Sequence, residues 1–386
     1  MGFYQQATQF LEEAKRRGSL RTLTAPGNCS SVGTPGGTCR INLSGNDYLA
    51  LGGKPDLTRE FLATRQDLFS SERSPFSASA SRLLTGNHAE YARLEARLGE
   101  LYENRAALAL MSGYHVNVGL LGALASEGDL IVSDRLNHAS LIDGIRLSKA
   151  RHLIYPHLDY DRLRELLGVE RARHRNLFIV TESVFSMDGD VADLNRLAAI
   201  KREHDGFLVV DEAHALGVFG PRGLGLAEEK GLIADVDIIV GTFGKALCSS
   251  GAFIACDPLI REYLVNRLRP LIYSTAQPPL NVAWTGFLLE KVLTMEAERQ
   301  RVLSLAAGFR EKLQSRGLRT LGESQIVPLL LGSNDAALAA ARTLGENGFL
   351  VFPIRPPTVP EGTSRIRFSL NADIEKSDLA RLAALI

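Results

Sequence analysis

Between about residue 90 and residue 256 the chain alternates two hydrophobic patterns. Short, largely apolar runs predict strands: Leu130-Ile131-Val132, His152-Leu153-Ile154-Tyr155, Leu177-Phe178-Ile179-Val180, Phe207-Leu208-Val209-Val210, Val236 to Val240 and Ala252-Phe253-Ile254. Between them, Leu94 to Tyr102, Val116 to Ala125, Ser140 to Lys149, Leu163 to Glu170 and Leu194 to His204 place apolar residues at helical spacing. Strands apolar on both faces, separated by amphipathic helices, predict an α/β fold with a mainly parallel sheet covered on both sides. The flanks differ in style. An N-terminal helix is followed by a Gly/Pro/Ser/Thr-rich loop from Ala25 to Thr38. After Pro278-Pro279 a long helical pattern runs from about Asn281 to Gln314. Beyond it come a strand (Ile326 to Leu331), a helix (Ala336 to Asn347), two strands (Phe349 to Pro353, Arg365 to Leu370) and a helix (Ser377 to Leu385). This predicts an N-terminal helix and extended segment over 1–55, a large α/β domain over 56–285 and a smaller α+β C-terminal domain over 286–386.

Composition narrows the function classes. Lys plus Arg (44) equals Asp plus Glu (44), so net charge makes no case for a nucleic-acid or anionic-membrane partner. No apolar run approaches the roughly 20 residues of a membrane span. The N-terminus lacks the basic start and apolar middle of a secretory signal, and Gln6 stands where a myristoylation signal wants Ser or Thr. Cys29, Cys39, Cys248 and Cys256 form no C-x-x-C pair, and thiols in a reducing compartment are the expectation. A cytoplasmic protein follows.

In open α/β sheets, ligands bind outside the carboxyl ends of the strands. Four predicted strand ends there carry chemistry. Asp211, Glu212 and His214 follow one run; Thr181, Glu182, Ser186 and Asp188 follow another; Ser133, Asp134 and His138 follow a third; Thr242 and Lys245 follow a fourth. Singly, each has an ordinary explanation: Asp211 as a turn cap, the histidines as satisfied side chains, Lys245 as a solvated lysine. The surroundings of Lys245 argue otherwise, because Gly241, Gly244 and Gly251 strip side chains from around it, as where a backbone approaches a ligand. A reactive lysine with a fixed carboxylate facing a pyridinium nitrogen is the arrangement pyridoxal phosphate (PLP) requires. Gly113 and Tyr114, opening the Val116 helix, offer N–H groups to the phosphate, and Thr242 adds a hydroxyl. His138 fits against one ring face, and Ser186 or His214 suits the ring hydroxyl. A metal site at D211-E-A-H214 lacks a partner cluster of recognisable spacing, so no metal is expected. There is no G-x-x-x-x-G-K-[ST] for a nucleotide.

Seven stretches, in order along essentially the whole chain, resemble the α-oxoamine synthases, a family of fold-type I PLP enzymes. They are S-G-N-D-Y-L-A-L (44–51), S-G-Y-H-V-N (112–117), S-D-R-L-N-H-A-S-L-I-D-G (133–144), T-E-S-V-F-S-M-D-G-D (181–190), D-E-A-H-A-L-G-V-F-G (211–220), G-T-F-G-K-A (241–246) and I-Y-S-T-A-Q-P-P (272–279). The resemblance implies an aspartate-aminotransferase-like fold and a homodimer with the active site at the subunit interface. It implies that Lys245 carries the cofactor and moves the α-proton, Asp211 meets the ring nitrogen and His138 stacks on the ring. Ser186 and His214 would meet the ring hydroxyl; Gly113, Tyr114 and Thr242 the phosphate; Thr275 the other subunit's phosphate. Arg355 would bind the amino-acid carboxylate, with Thr358 also at the substrate, Asn46 near it, and Arg21 near the acyl group's far carboxylate. I-R-P-P-T-V-P-E-G-T-S-R-I-R-F-S-L (354–370) resembles the members that condense L-alanine with a pimeloyl thioester, on coenzyme A or acyl carrier protein, in biotin biosynthesis. The alternative is a relative using another amino acid or acyl chain, such as a glycine acyltransferase or a long-chain α-aminoketone synthase. The chain departs from the family at S-A-S-A-S-R (77–82), where G-S-G-G-S-R is usual, and at Cys248, where glycine is usual. Both put acyl specificity in question.

Overall fold

The computed structural model describes residues 2–23, 32–33, 39–70 and 73–386. Most of the expected Ala25–Thr38 loop, including Cys29, lies outside the described residues; within it Val32–Gly33 pairs antiparallel with Cys39 and Arg40. The chain divides into two compact units, one of Lys54–Ser186 with Val191–Gln300, the other of Met1–Gly53, Met187–Asp190 and Arg301–Ile386.

The first unit is built on seven strands. In chain order they are β1 (Ala106–Leu110), β2 (Leu130–Asp134), β3 (Arg151–Tyr155), β4 (Leu177–Glu182), β5 (Phe207–Asp211), β6 (Ile238–Thr242) and β7 (Ala252–Cys256). Across the sheet they lie β1-β7-β6-β5-β4-β2-β3. Every neighbouring pair is parallel except those made by β7, which runs antiparallel to β1 and β6. β2, β4, β6 and β7 are buried at every residue, which is why they read as unbroken apolar runs. Leu108, Leu120, Ile131, Val180, Val209 and Ile254 belong to one core, each contributing on the order of 1.5–3 kcal/mol by full burial. Parallel register places the strand ends side by side: Ser133 pairs with Val180, Glu182 with Asp211, and Asp211 with Val240.

Two departures from the sequence pattern have local causes. β1 has the sequence A-A-L-A-L, with no β-branched residue to announce a strand, and it forms because β7 offers it a full antiparallel ladder. β6 starts at Ile238 rather than Val236, because the Asp237 carboxylate takes the Leu208 N–H (2.7 Å) and the Lys201 ammonium (2.8 Å). The long helical pattern near 281–314 is two helices, Pro279–Leu293 and Glu296–Ser315, with Thr294 capping the first.

In the second unit, Ile326–Gly332, Ser364–Ser369 and Pro353–Ile354 make an antiparallel sheet, and Phe349–Leu350 pairs parallel with Cys39–Asn42. The single strand expected from Phe349 to Pro353 is therefore two short ones in different sheets. Helices Phe3–Arg16, Asn334–Glu346 and Lys376–Ala384 complete this unit.

The helices Gly113–Leu124 and Ala139–Leu147 pack through Gly144, where a β-carbon would lie 2.1 Å from the Asn117 carbonyl oxygen. Backbone, unlike a side-chain tip, cannot swing aside. Gly144→Ala is therefore expected to cost about 3 kcal/mol or more in denaturant unfolding. Gly168→Ala, in open space on a helix, should be neutral or gain up to roughly 1 kcal/mol.

Candidate active site

The ends of β2, β4, β5 and β6 supply the polar side chains. Asp211, the last residue of β5, is buried; its Oδ1 accepts the Ala213 N–H at 2.8 Å and its Oδ2 the Asn117 amide at 2.6 Å. His138 caps the Ala139–Leu147 helix, and its Nδ1 accepts the Ser140 N–H at 3.2 Å. Its backbone N–H donates to Glu182 Oε1. His138 is exposed as a residue, yet its surroundings lower the imidazolium pKa, through desolvation first. Asp211 opposes that shift and Lys245 adds to it, so all three groups share one electrostatic neighbourhood. Glu182 lies in the same neighbourhood. Burial, then the Asp211 charge, raises its pKa against the pull of Lys245.

Lys245 is half-buried in the β6–β7 connection. Its loop is closed by Phe243 N–H to Gly251 O (2.9 Å), Ser249 N–H to Phe243 O (2.9 Å) and Cys248 N–H to Lys245 O (2.8 Å). The three glycines around it have three different causes. A β-carbon at Gly241 would strike the Phe253 ring at 2.2 Å, so packing demands that glycine. Gly251 has φ +103°, and its β-carbon would meet Gln277 and the Leu110 carbonyl within 3 Å. Only Gly244 faces open space, its nearest contact being the Ser249 carbonyl at 3.7 Å. The expectation that all three make room for a ligand is corrected to one.

Three observations test the site for a phosphate-bearing cofactor. Thr242 Oγ1 is buried without a hydrogen-bond partner, a state that costs about 1–3 kcal/mol unless a ligand fills it. Gly113 approaches Thr242 so closely that a β-carbon would lie 2.4 Å from Thr242 Cγ2. The N–H groups of Gly113 and Tyr114 are in the first turn of the twelve-residue Gly113–Leu124 helix, which Ser112 caps, where no intrahelical carbonyl serves them. Donors, an orphaned hydroxyl, a lysine and a buried carboxylate together fit PLP. Tyr114 itself is exposed and donates its hydroxyl to Asp143 at 2.7 Å. Ser186 is half-buried in the loop after β4, and His214 is buried just beyond Asp211. Thr275 is exposed and bridges to Ser81, so the segment carrying it pairs with S-A-S-A-S-R.

Both departures from the family pattern fall on left-handed backbone: Ser79 has φ +55° and Cys248 φ +47°. The turns keep the shape that glycine would hold freely, at a cost of roughly 1–2 kcal/mol per β-carbon. Cys248 and Cys256 are both thiols.

In the other unit, Arg21 donates to Thr358 Oγ1 at 2.8 Å, and Arg355 donates to the Gly18 carbonyl. The Arg355 guanidinium pKa is lowered, by burial first and then by the like charge of Arg21. Two guanidinium groups so placed favour an anion. Asn46 belongs to a separate group, its Oδ1 accepting from both terminal nitrogens of buried Arg367 (3.2 Å each) and from the Tyr48 hydroxyl (3.2 Å). Sequence reasoning did not assign roles to Arg367, Asn117, Ser140 or Glu182, although all four lie within the quoted motifs. Among the described residues, no group of three or more His, Cys, Asp or Glu is arranged to hold a metal, and no helix is long and apolar enough to cross a membrane.

The sequence matches the family described as aminotransferase class I and II over residues 39–386. It is 47% identical over 376 residues to an 8-amino-7-oxononanoate synthase from Chlorobaculum parvum, covering 97% of this chain and 96% of that one. Among solved structures it resembles a PLP-bound serine palmitoyltransferase from S. paucimobilis (TM-score 0.88, 26% identity, 98% of this chain and 95% of that one). It also resembles an 8-amino-7-oxononanoate synthase from Francisella tularensis (TM-score 0.76, 26% identity, 90% and 96%).

Glu212 yields a pH prediction. It is fully buried and accepts from Ser183 Oγ, Leu226 N–H (3.0 Å) and Ala227 N–H (2.8 Å), yet burial pushes its carboxyl from the ordinary 4.5 up to about 7. Because the folded state holds that proton more tightly, the associated stability is full below pH 4.5 and is lost as pH rises through about 7. The loss is on the order of 3 kcal/mol, and Glu182 adds to it in the same direction. Urea midpoints measured from pH 5 to 8 should fall more steeply for the parent than for Glu212→Gln; parallel slopes would contradict this.

Proposed function

Because the chain belongs to the class I and II aminotransferase family, and within it to the α-oxoamine synthases, we propose that it condenses L-alanine with a pimeloyl thioester to give 8-amino-7-oxononanoate, carbon dioxide and the free thiol, a step of biotin biosynthesis. The observation that carries the reading is the likeness to 8-amino-7-oxononanoate synthases along nearly the full length of both chains. The orphaned Thr242 hydroxyl beside Lys245 and Asp211 supports it from the site itself.

PLP, when bound, supplies an electron sink for the pair left on the substrate α-carbon. Thr242 Oγ1 and the N–H groups of Gly113 and Tyr114 hold its phosphate, and Thr275 reaches the phosphate of a partner subunit in a homodimer. Asp211 would face the ring nitrogen, His138 would lie against the ring, and Ser186 and His214 would meet the ring hydroxyl. Lys245 Nζ would carry the cofactor, and the same amine would take the alanine α-proton. Arg355 forks the alanine carboxylate. Arg21 and Thr358 hold the far carboxylate of the acyl group, and Asn46 lies beside the substrate. The alanine α-carbon then bonds to the thioester carbonyl carbon as the thiol leaves. The original carboxylate departs as carbon dioxide, and Lys245 returns a proton to that carbon. The acyl donor is carried on coenzyme A or acyl carrier protein, and the cytoplasm is the proposed compartment.

Mass spectrometry of the product from pimeloyl-coenzyme A with alanine, glycine or serine tests the reading. Alanine should give 8-amino-7-oxononanoate, with the other two at under about a tenth of that rate. Lys245→Ala should fall by roughly a thousandfold or more. A preference for glycine or serine would overturn the assignment within the family, and retained turnover in Lys245→Ala would remove that lysine from its role.

A further inference from the structure

Four side chains make a continuous hydrogen-bonded line across the ends of three elements. Asn117 Nδ2 donates to Asp211 Oδ2 at 2.6 Å and to Ser140 Oγ at 3.0 Å; Ser140 Oγ lies 2.7 Å from His138 Nδ1. Asn117, Ser140 and Asp211 are all buried, at 2%, 1% and 4% exposure.

Chemistry fixes every proton in this line. Nδ1 of His138 accepts the Ser140 backbone N–H at 3.2 Å, so it carries no hydrogen of its own. The 2.7 Å contact to Ser140 Oγ must then use the hydroxyl hydrogen, which leaves the Ser140 lone pairs for Asn117. A carboxylate oxygen and a hydroxyl already donating both need a donor, so the Asn117 nitrogen rather than its oxygen faces them. An imidazole without a proton on Nδ1 carries it on Nε2.

Asn117 is satisfied on one side only. Its Oδ1 is buried without a hydrogen-bond partner, a state that disfavours folding. Both amide hydrogens are spent on groups of the site.

We propose that Asn117 is a positioning residue that, through Ser140, couples the carboxylate facing the ring nitrogen to the imidazole on the ring face and holds His138 as the Nε2–H tautomer. This rests on the PLP-dependent reading of the site. The charged and titratable groups around His138 are Asp211, Lys245, Asp143 (engaged by Tyr114 and Arg146) and Glu182, which accepts its backbone N–H. None of them bonds Nδ1, whose two donors are the backbone N–H and the hydroxyl of Ser140; Asn117 acts on the second, because its N–H occupies the hydroxyl lone pairs and turns the hydroxyl hydrogen toward Nδ1.

The test is nitrogen NMR of the cofactor-loaded protein labelled at histidine, with His138 assigned by loss of its signal in His138→Asn. The parent should show a single Nε2–H tautomer for His138 across the neutral range. Ser140→Ala, which deletes the hydroxyl donor and keeps the backbone N–H on Nδ1, should weaken the preference for Nε2–H until the Nδ1–H form becomes detectable, and raise the imidazole pKa. Asn117→Leu, of similar size, should shift it in the same direction and also alter the pH dependence of cofactor absorbance through Asp211. In both, kcat should fall roughly tenfold to a hundredfold, as for a misplaced catalytic group, with KM for alanine within about twofold. An unchanged tautomer and titration in Ser140→Ala and Asn117→Leu would overturn the coupling. The NMR readout needs no substrate, so its failure is separate from failure of the condensation assay.

Discussion

The site depends on packing acidic groups side by side at a buried strand edge. Glu182 and Asp211 are register partners on neighbouring strands, about 4.8 Å apart in backbone spacing. The Asp211 charge raises the Glu182 pKa, so ionising both carboxyls together is disfavoured. The protein resolves this unequally. Asp211 receives donors on both oxygens from Ala213 and Asn117, whereas Glu182 receives the His138 N–H and its pKa rises. The outcome is a fixed acceptor beside a carboxyl that readily keeps its proton, with the Lys245 charge pulling the other way on that carboxyl. Glu212 is turned toward Ser183 and the Leu226 and Ala227 N–H groups, and the Asp211 charge adds to the burial that raises its pKa.

Much of this edge was legible because a parallel sheet writes its strands as apolar runs and its ligand-binding ends as the polar residues that follow. Asp211, His138, Thr242 and Lys245 could be found that way. Hydrogen bonds between elements could not. The bond from Asn117 to Asp211 spans 94 positions, and that from Asn117 to Ser140 crosses two helices that touch at Gly144. β1 was illegible because alanine and leucine carry no strand signal, and the glycines at 241 and 251 were misread because Phe253 meets the first across a strand pair and Gln277 meets the second from a segment 26 positions on.

Ser79 and Cys248 show a related limit. Sequence identifies them as departures from glycine, and the structure shows that the backbone did not follow the change: both residues hold the left-handed conformation. The connection carrying Lys245 therefore keeps its geometry at some cost in strain. In the second unit, Arg21 and Arg355 are recognisable singly, but Arg367, which orders Asn46 and Tyr48, emerges only from the fold.

The account stands on Lys245 being the residue that carries the cofactor. Incubation with PLP, reduction with borohydride and peptide mass mapping tests this directly. The predicted result is one stoichiometric phosphopyridoxyl group on the peptide containing Lys245, absent from Lys245→Ala. Labelling at another lysine, or no label at a saturating cofactor concentration, would contradict it.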